Sequence, residues 1–144
     1  TAAVGMYATN AYVHTIQSPA NQKFVRAFRA KTGRDPGGPG EYTYSALAAI
    51  NQALQATGGN IEAKAKFLDA LRKMDLEAPR GRIRFDRYQH VIQDVIITRI
   101  DKVGDQIVPV TVETTRGVDQ FLGLSPEEYV KRPRLIMLKG TFGK

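Results

Sequence analysis

At 144 residues and 15.9 kDa, with 42% hydrophobic and 24% charged residues, the chain has the size and composition of one ordinary folded domain. No apolar run approaches the roughly 20 residues that a bilayer-spanning helix needs, and the absence of cysteine removes disulfides, thiolate catalysis and Cys-based zinc sites. The net charge of +7 is carried by residues 1–40 and 131–144 around a balanced middle, which gives no basic stripe and no expectation of a nucleic-acid partner.

In chain order, Val4 to Tyr12 is short, mixed and compatible with a strand. Ser18-Pro19 then supplies a capping hydroxyl and a residue of preset φ, and Phe24, Val25, Ala27 and Phe28 follow at one-face spacing before Gly33, which predicts a helix over 19–32. The Gly/Pro cluster from Asp35 to Gly40 reads as a loop. Tyr44, Leu47, Ala48 and Leu54 mark the expected buried face of a second helix over 42–57, stopped by Gly58-Gly59. Asn60 is the expected cap of a third over 61–74, with Phe67, Leu68, Leu71 and Met74 as its apolar stripe and Glu62/Lys66 and Asp69/Lys73 pairs on its wet side.

The texture changes at Pro79. Arg82 to Phe85 alternates with period two, Asp86 to His90 turns, and Val91 to Ile100 is β-branched on both parities, as in a strand covered on both faces. After a turn at Lys102 to Gln106, Ile107 to Val112 predicts another strand that Pro109 pushes toward an edge. Ser125-Pro126-Glu127-Glu128 combines an N-cap, a first-turn proline and a capping-box glutamate, so a short helix starts there; Leu135 to Leu138 is a candidate last strand. The expected class is α/β, with too few strands ahead of the helices to complete a parallel sheet.

Tests for catalytic or metal chemistry come out empty. His14 and His90 lie about 76 positions apart, with no second ligand at metal spacing, and there is no nucleophile elbow. Gly37-Gly38-Pro39-Gly40 lacks the Lys-Ser/Thr ending of a phosphate loop, and Pro39 removes a donor. Neither an enzymatic activity nor a cofactor is expected. Glu41-Tyr42-Thr43-Tyr44 is the more informative stretch: placed at a helix start, its two aromatics could close over a small organic ligand beside free backbone N–H groups. Core packing of both tyrosines is the competing reading.

Taken in order, Asn21 to Phe28 with Lys31-Thr32-Gly33, Tyr44-Ser45-Ala46-Leu47 ending at Gly58-Gly59, Pro79 to Asp86 and Val91 to Ile100 resemble the C-terminal part of ABC-transporter substrate-binding proteins of the branched-chain amino acid type, with the two-lobed type I periplasmic-binding fold. The resemblance covers roughly residues 4–103. It implies a C-terminal fragment, or a chain whose other half comes from another polypeptide: a crossing strand or hinge at 1–12, the helical part of one lobe at 13–92, and a crossing strand, hairpin and extension of the other lobe at 93–144. It also implies a periplasmic or extracellular, non-enzymatic component of an importer, made with a signal peptide and partnered by a membrane permease. The solute would be a branched-chain amino acid, an amide or an aromatic carboxylate. Glu41, Tyr42 and Tyr44 become the expected cleft residues, with Tyr42 the aromatic wall and Asn10 and Tyr12 secondary. Helix faces left bare by the missing half would favour homo-oligomerisation. A ligand-sensing domain of a regulator with the same fold is the alternative, and a nucleic-acid-binding module a weaker one.

Overall fold

The computed structural model describes residues 2–132. Its elements run β1 (Tyr7–Asn10), α1 (Pro19–Thr32), α2 (Gly38–Ala56), α3 (Lys64–Arg72), β2 (Asp75–Ala78), β3 (Gly81–Phe85), β4 (Val91–Val103), β5 (Gln106–Val118) and α4 (Pro126–Tyr129). The α/β class and the order of elements follow the sequence expectation, and the candidate strand at 135–138 lies outside the described residues.

The long strand β4 organises the sheet. It pairs with β3 through Phe85↔Val91 and Arg84↔Ile92, with β1 from Asn10↔Ile96 to Tyr7↔Arg99, and with β5 from Gln93↔Val118 to Val103↔Gln106, every pair antiparallel. That threefold use explains its β-branched run, since a strand paired along both edges selects Val, Ile and Thr, but full burial falls on one face alone, where cover on both faces is expected from the sequence. Ile96 and Thr98 are its fully buried residues. β5 pairs only with β4 among the described residues, so Pro109 does sit on an edge strand, where its missing N–H breaks no ladder. The strand runs to Val118, six residues past the expected end, through a register shift opposite Ile97/Thr98 that absorbs an extra residue.

Three expectations need correction. First, α2 begins inside the Gly/Pro cluster, with Gly37 as its N-cap and Pro39 in its first turn. Proline breaks a helix only where its N–H would have been bonded, and in the first turn it would not have been. Second, the buried face of α2 is not the Tyr44/Leu47 stripe but the ridge Glu41, Ser45, Ala49 and Ala53, whereas Tyr44, Leu47 and Ile50 are exposed. Small side chains spaced by four let α2 approach its neighbours closely, and Ala49 packs with Met74, Ala78 and Ile83 in a core cluster flanked by Leu76, Phe85 and Val91. Third, Asp75–Ala78 is a strand that the sequence reading left unassigned; it forms a hairpin with β3 over the Pro79-Arg80 turn.

α3 is shorter than expected. The Asn60 side chain accepts from the N–H groups of Glu62 and Ala63 and so organises the turn ahead of the helix, which starts only at Lys64. Of the two expected pairs, Lys73 Nζ–Asp69 Oδ2 forms at 2.8 Å, and Glu62/Lys66 is not an ion pair among the described residues. No residue of α3 is fully buried, Leu68 is exposed, and Met74 is buried beyond the helix end. At the far end of the chain, Ser125 and Glu128 form the expected reciprocal capping box of α4.

Candidate functional site

The site is assembled around the entry to α1. Ser18 caps that helix by accepting from the Asn21 N–H at 3.1 Å. The Asn21 side chain, fully buried, donates through Nδ2 to the carbonyls of His14 (2.9 Å) and Ile16 (2.8 Å) and accepts from the Tyr12 hydroxyl at 2.9 Å. One amide thus satisfies two carbonyls of the 13–17 loop, as buried backbone requires. Burial, and after it the charges of Glu41 and Asp35, push the Tyr12 phenol well above its ordinary range.

Next to this loop lies an arginine that the sequence reading passed over. Arg80 sits in the β2–β3 turn, where Gly81 takes φ +110°, a conformation that costs a residue with a Cβ dearly. Its guanidinium Nη1 is 2.9 Å from Glu41 Oε2, the arginine side chain 9% and the glutamate 0% exposed. Ser45, one turn along α2, donates to the other carboxylate oxygen of Glu41. The Arg80 Cζ lies 4.9 Å from the centre of the Tyr42 ring, within cation–π range. Arg80 Nε, also buried, has no hydrogen-bond partner among the described residues. The Tyr42 ring can lie this way because position 38 is glycine: a Cβ there would come within 3.2 Å of the ring.

The five expected residues therefore divide. Glu41 and Tyr42 are brought together around Arg80. Glu41 is fully buried and committed to Arg80 and Ser45, and Tyr42 is 43% exposed. Tyr44 lies on another side of α2, its ring 4.7 Å from that of Phe24 and half exposed. Tyr12 is buried behind the α1 loop, and Asn10 Nδ2 donates to Thr98 Oγ1 at 3.0 Å, tying β1 to β4. The expected free N–H groups beside Tyr42 are not all free, because α2 starts earlier: the Glu41 N–H already donates to the Gly37 carbonyl at 3.2 Å.

The two histidines stand apart from this corner. His14 Nε2 is 3.7 Å from Asp35 Oδ2, and the Asp35 carboxyl is held below its usual range chiefly by its hydrogen bond from Arg29. His90 closes the Asp86 turn, its N–H donating to Asp86 Oδ1 at 2.9 Å. Among the described residues no group of three or more His, Cys, Asp or Glu is placed to hold a metal ion.

A cleft of about 990 Å³ opens between the 15–18 loop, the β2–β3 hairpin and the β4–β5 ribbon. Its walls are apolar at Ile92, Ile96, Val108 and Val110, with arginines 80, 82, 84 and 116 contributing as well. Thr15 spans one end by donating to the Pro109 carbonyl. Arg80 is the residue shared by the cleft and the Tyr42 corner, and none of the five expected residues lines the cleft. The one sequence signal that could have found Arg80 is its place between Pro79 and Gly81, where a turn presents a side chain that a strand would not.

Residues 1–105 match a family model described as periplasmic binding protein. The chain belongs to that family. A Leu/Ile/Val-binding protein homolog from Brucella abortus is 30% identical over 106 residues, which are 72% of this chain and 27% of the relative. An ABC transporter substrate-binding protein from Sphaerobacter thermophilus superposes with a TM-score of 0.79 at 28% identity, covering 82% of this chain and 33% of that one. A solute-binding protein of an ABC transporter from Rhodopseudomonas palustris, solved with 3,4-dihydroxybenzoic acid, gives 0.77 at 26% identity and covers 82% and 32% respectively. The fold is that of part of a type I periplasmic-binding protein, and the chain spans about a quarter of the length of the curated relatives it matches. The resemblance drawn from the ordered motifs therefore holds, and the family is one of substrate-binding proteins.

Proposed function

We propose that the chain is part of the solute-binding component of an ABC importer, capturing a small organic solute for delivery to a membrane permease in the periplasm. The observation that carries this reading is the family match across residues 1–105, with relatives whose own names record Leu/Ile/Val binding and bound dihydroxybenzoate. Residues 13–92 would form the helical part of one lobe, and 1–12 and 93 onward would lead to the other lobe, whose segments complete the cleft. Closure of such lobes on a ligand is a population shift toward the state that the ligand contacts on both sides.

Within this reading Tyr42 is the aromatic wall, supported from inside by Arg80 and Glu41. Glu41 acts as the buried counter-charge that orients Arg80. Tyr44 flanks the wall from beside Phe24, and Asn10 and Tyr12 hold the crossing strand and the α1 loop in place. The test is calorimetry on the full-length protein with branched-chain amino acids, short amides and benzoates. One class is expected to bind, and Tyr42→Ala is expected to weaken it about 5- to 150-fold, the equivalent of about 1–3 kcal/mol of lost apolar burial. Binding unchanged in Tyr42→Ala would remove the wall, and no binding across the panel would remove the solute reading.

A further inference from the structure

We propose that the outward face of α1 is a docking surface for an anionic phospholipid membrane, held by Lys23, Arg26, Lys31 and Arg34. The inference goes beyond solute capture and rests on the importer reading only in choosing a membrane among polyanionic partners.

All five basic residues of the first forty lie between 23 and 34, and Asp35 is the single acidic one. Asp35 is taken up by Arg29, with His14 Nε2 3.7 Å away, so it neutralises none of the other four. Lys23, Arg26, Lys31 and Arg34 are exposed and form no ion pair among the described residues. Counting along the sequence shows no stripe, but the helix makes one, because Lys23, Arg26, Ala27 and Ala30 turn away from the buried Asn21, Phe24 and Val25. The arrangement does little for the helix itself. Arg29 and Lys31 complement the negative end of its dipole, whereas Lys23 and Arg26 lie short of that end, and like charges three positions apart, such as Lys23 with Arg26 and Arg26 with Arg29, repel. The chemistry of the partner follows from what accompanies the cations. Ala27 and Ala30 stand between them, and that side of α1 carries no aromatic or large aliphatic side chain to anchor a protein partner or stack on a base. Phe24 and Val25 are already used inside the fold, so the helix has no apolar face to insert and its contact is electrostatic. A plane of phosphate headgroups meets such a row of cations without needing any one specific contact.

The probe is a vesicle of equimolar phosphatidylglycerol and phosphatidylcholine, with pure phosphatidylcholine beside it, co-sedimented with the full-length protein. Binding to the anionic vesicle alone is expected, and it should vanish in about 1 M salt, where the screening length is about 3 Å. Lys23→Gln with Arg26→Gln is expected to weaken it about 25-fold, roughly fivefold per charge, and Lys23→Arg with Arg26→Lys should keep it. Lys64→Gln with Lys66→Gln, an equal loss of charge at exposed positions on α3, should change it by less than about twofold. Equal sedimentation with both vesicles, binding that survives high salt, or equal losses from the two glutamine doubles would each overturn the surface, as would retention on duplex DNA with none on vesicles. Solute binding without vesicle binding would overturn the surface and leave the importer reading standing. Vesicle binding lost in the α1 double, without any panel solute binding, would do the reverse.

Discussion

The surroundings of Arg80 and the outer side of α3 treat burial in opposite ways. Around Arg80 and the adjoining α1 loop the chain buries what water normally keeps: Asn21, Glu41 and Ser45 are all at or near zero exposure, each with a hydrogen-bond partner inside the fold. On α3 the chain exposes what water normally expels, with Leu68 on the surface and no fully buried residue in the helix. The difference teaches that polarity alone does not decide what this chain buries. A carboxylate goes inside where an arginine and a hydroxyl are already placed to meet it, and a leucine stays outside where nothing in the described chain lies over it.

This contrast can be broken from the polar side first. Arg80→Met leaves the Glu41 carboxylate buried and without its cation, and is expected to cost about 3–5 kcal/mol in urea unfolding. The double change Arg80→Met with Glu41→Leu should recover much of that loss, and a double variant as weak as the single one would show that packing rather than charge is responsible. Asn21→Ala is expected to cost about 2–3 kcal/mol, because two loop carbonyls and the Tyr12 hydroxyl lose their partner together.

How much of this was legible beforehand differs between the two regions. Helix α1 was read residue for residue because its cap, its first-turn proline and its stopping glycine are all local signals. The face of α2 was misread: hydrophobicity pointed to Tyr44 and Leu47, and the deciding interaction, Arg80 with Glu41, spans 39 positions of sequence. No window of helical periodicity can contain both partners. The same holds for the cleft, whose walls come from residues 15 to 117 and meet only because β5 folds back along β4. Strand β2 was missed for a local reason, since its four residues alternate over too short a run to be told from the end of a helix.

Two smaller effects sharpen the comparison. The Tyr12 phenol is raised in the folded protein, so above about pH 10 an unfolded chain releases a proton that the folded one retains. Tyr12 is therefore expected to lend stability in full below pH 10 and to lose it as pH rises toward the folded value. Chemical unfolding between pH 8 and 11 should fall more steeply for the parent than for Tyr12→Phe. On α3, by contrast, Asp69→Asn removes only an exposed pair with Lys73 and should change stability by about 0.3–0.5 kcal/mol, less in high salt. A loss above about 1 kcal/mol there would mean that α3 is more firmly held than its surface suggests.

Gly38 and Gly81 carry a consequence for how this chain tolerates change. In a saturation-mutagenesis map the two positions would separate under different selections. At Gly81 the backbone itself forbids a side chain, so every replacement should lower the yield of folded protein. At Gly38 the backbone is permissive and the obstacle is the Tyr42 ring 3.2 Å away. Gly38→Ala should therefore fold with the Tyr42 ring displaced by a few tenths of an ångström, separating a variant library into members that fail to accumulate and members that accumulate with an altered surface at Tyr42.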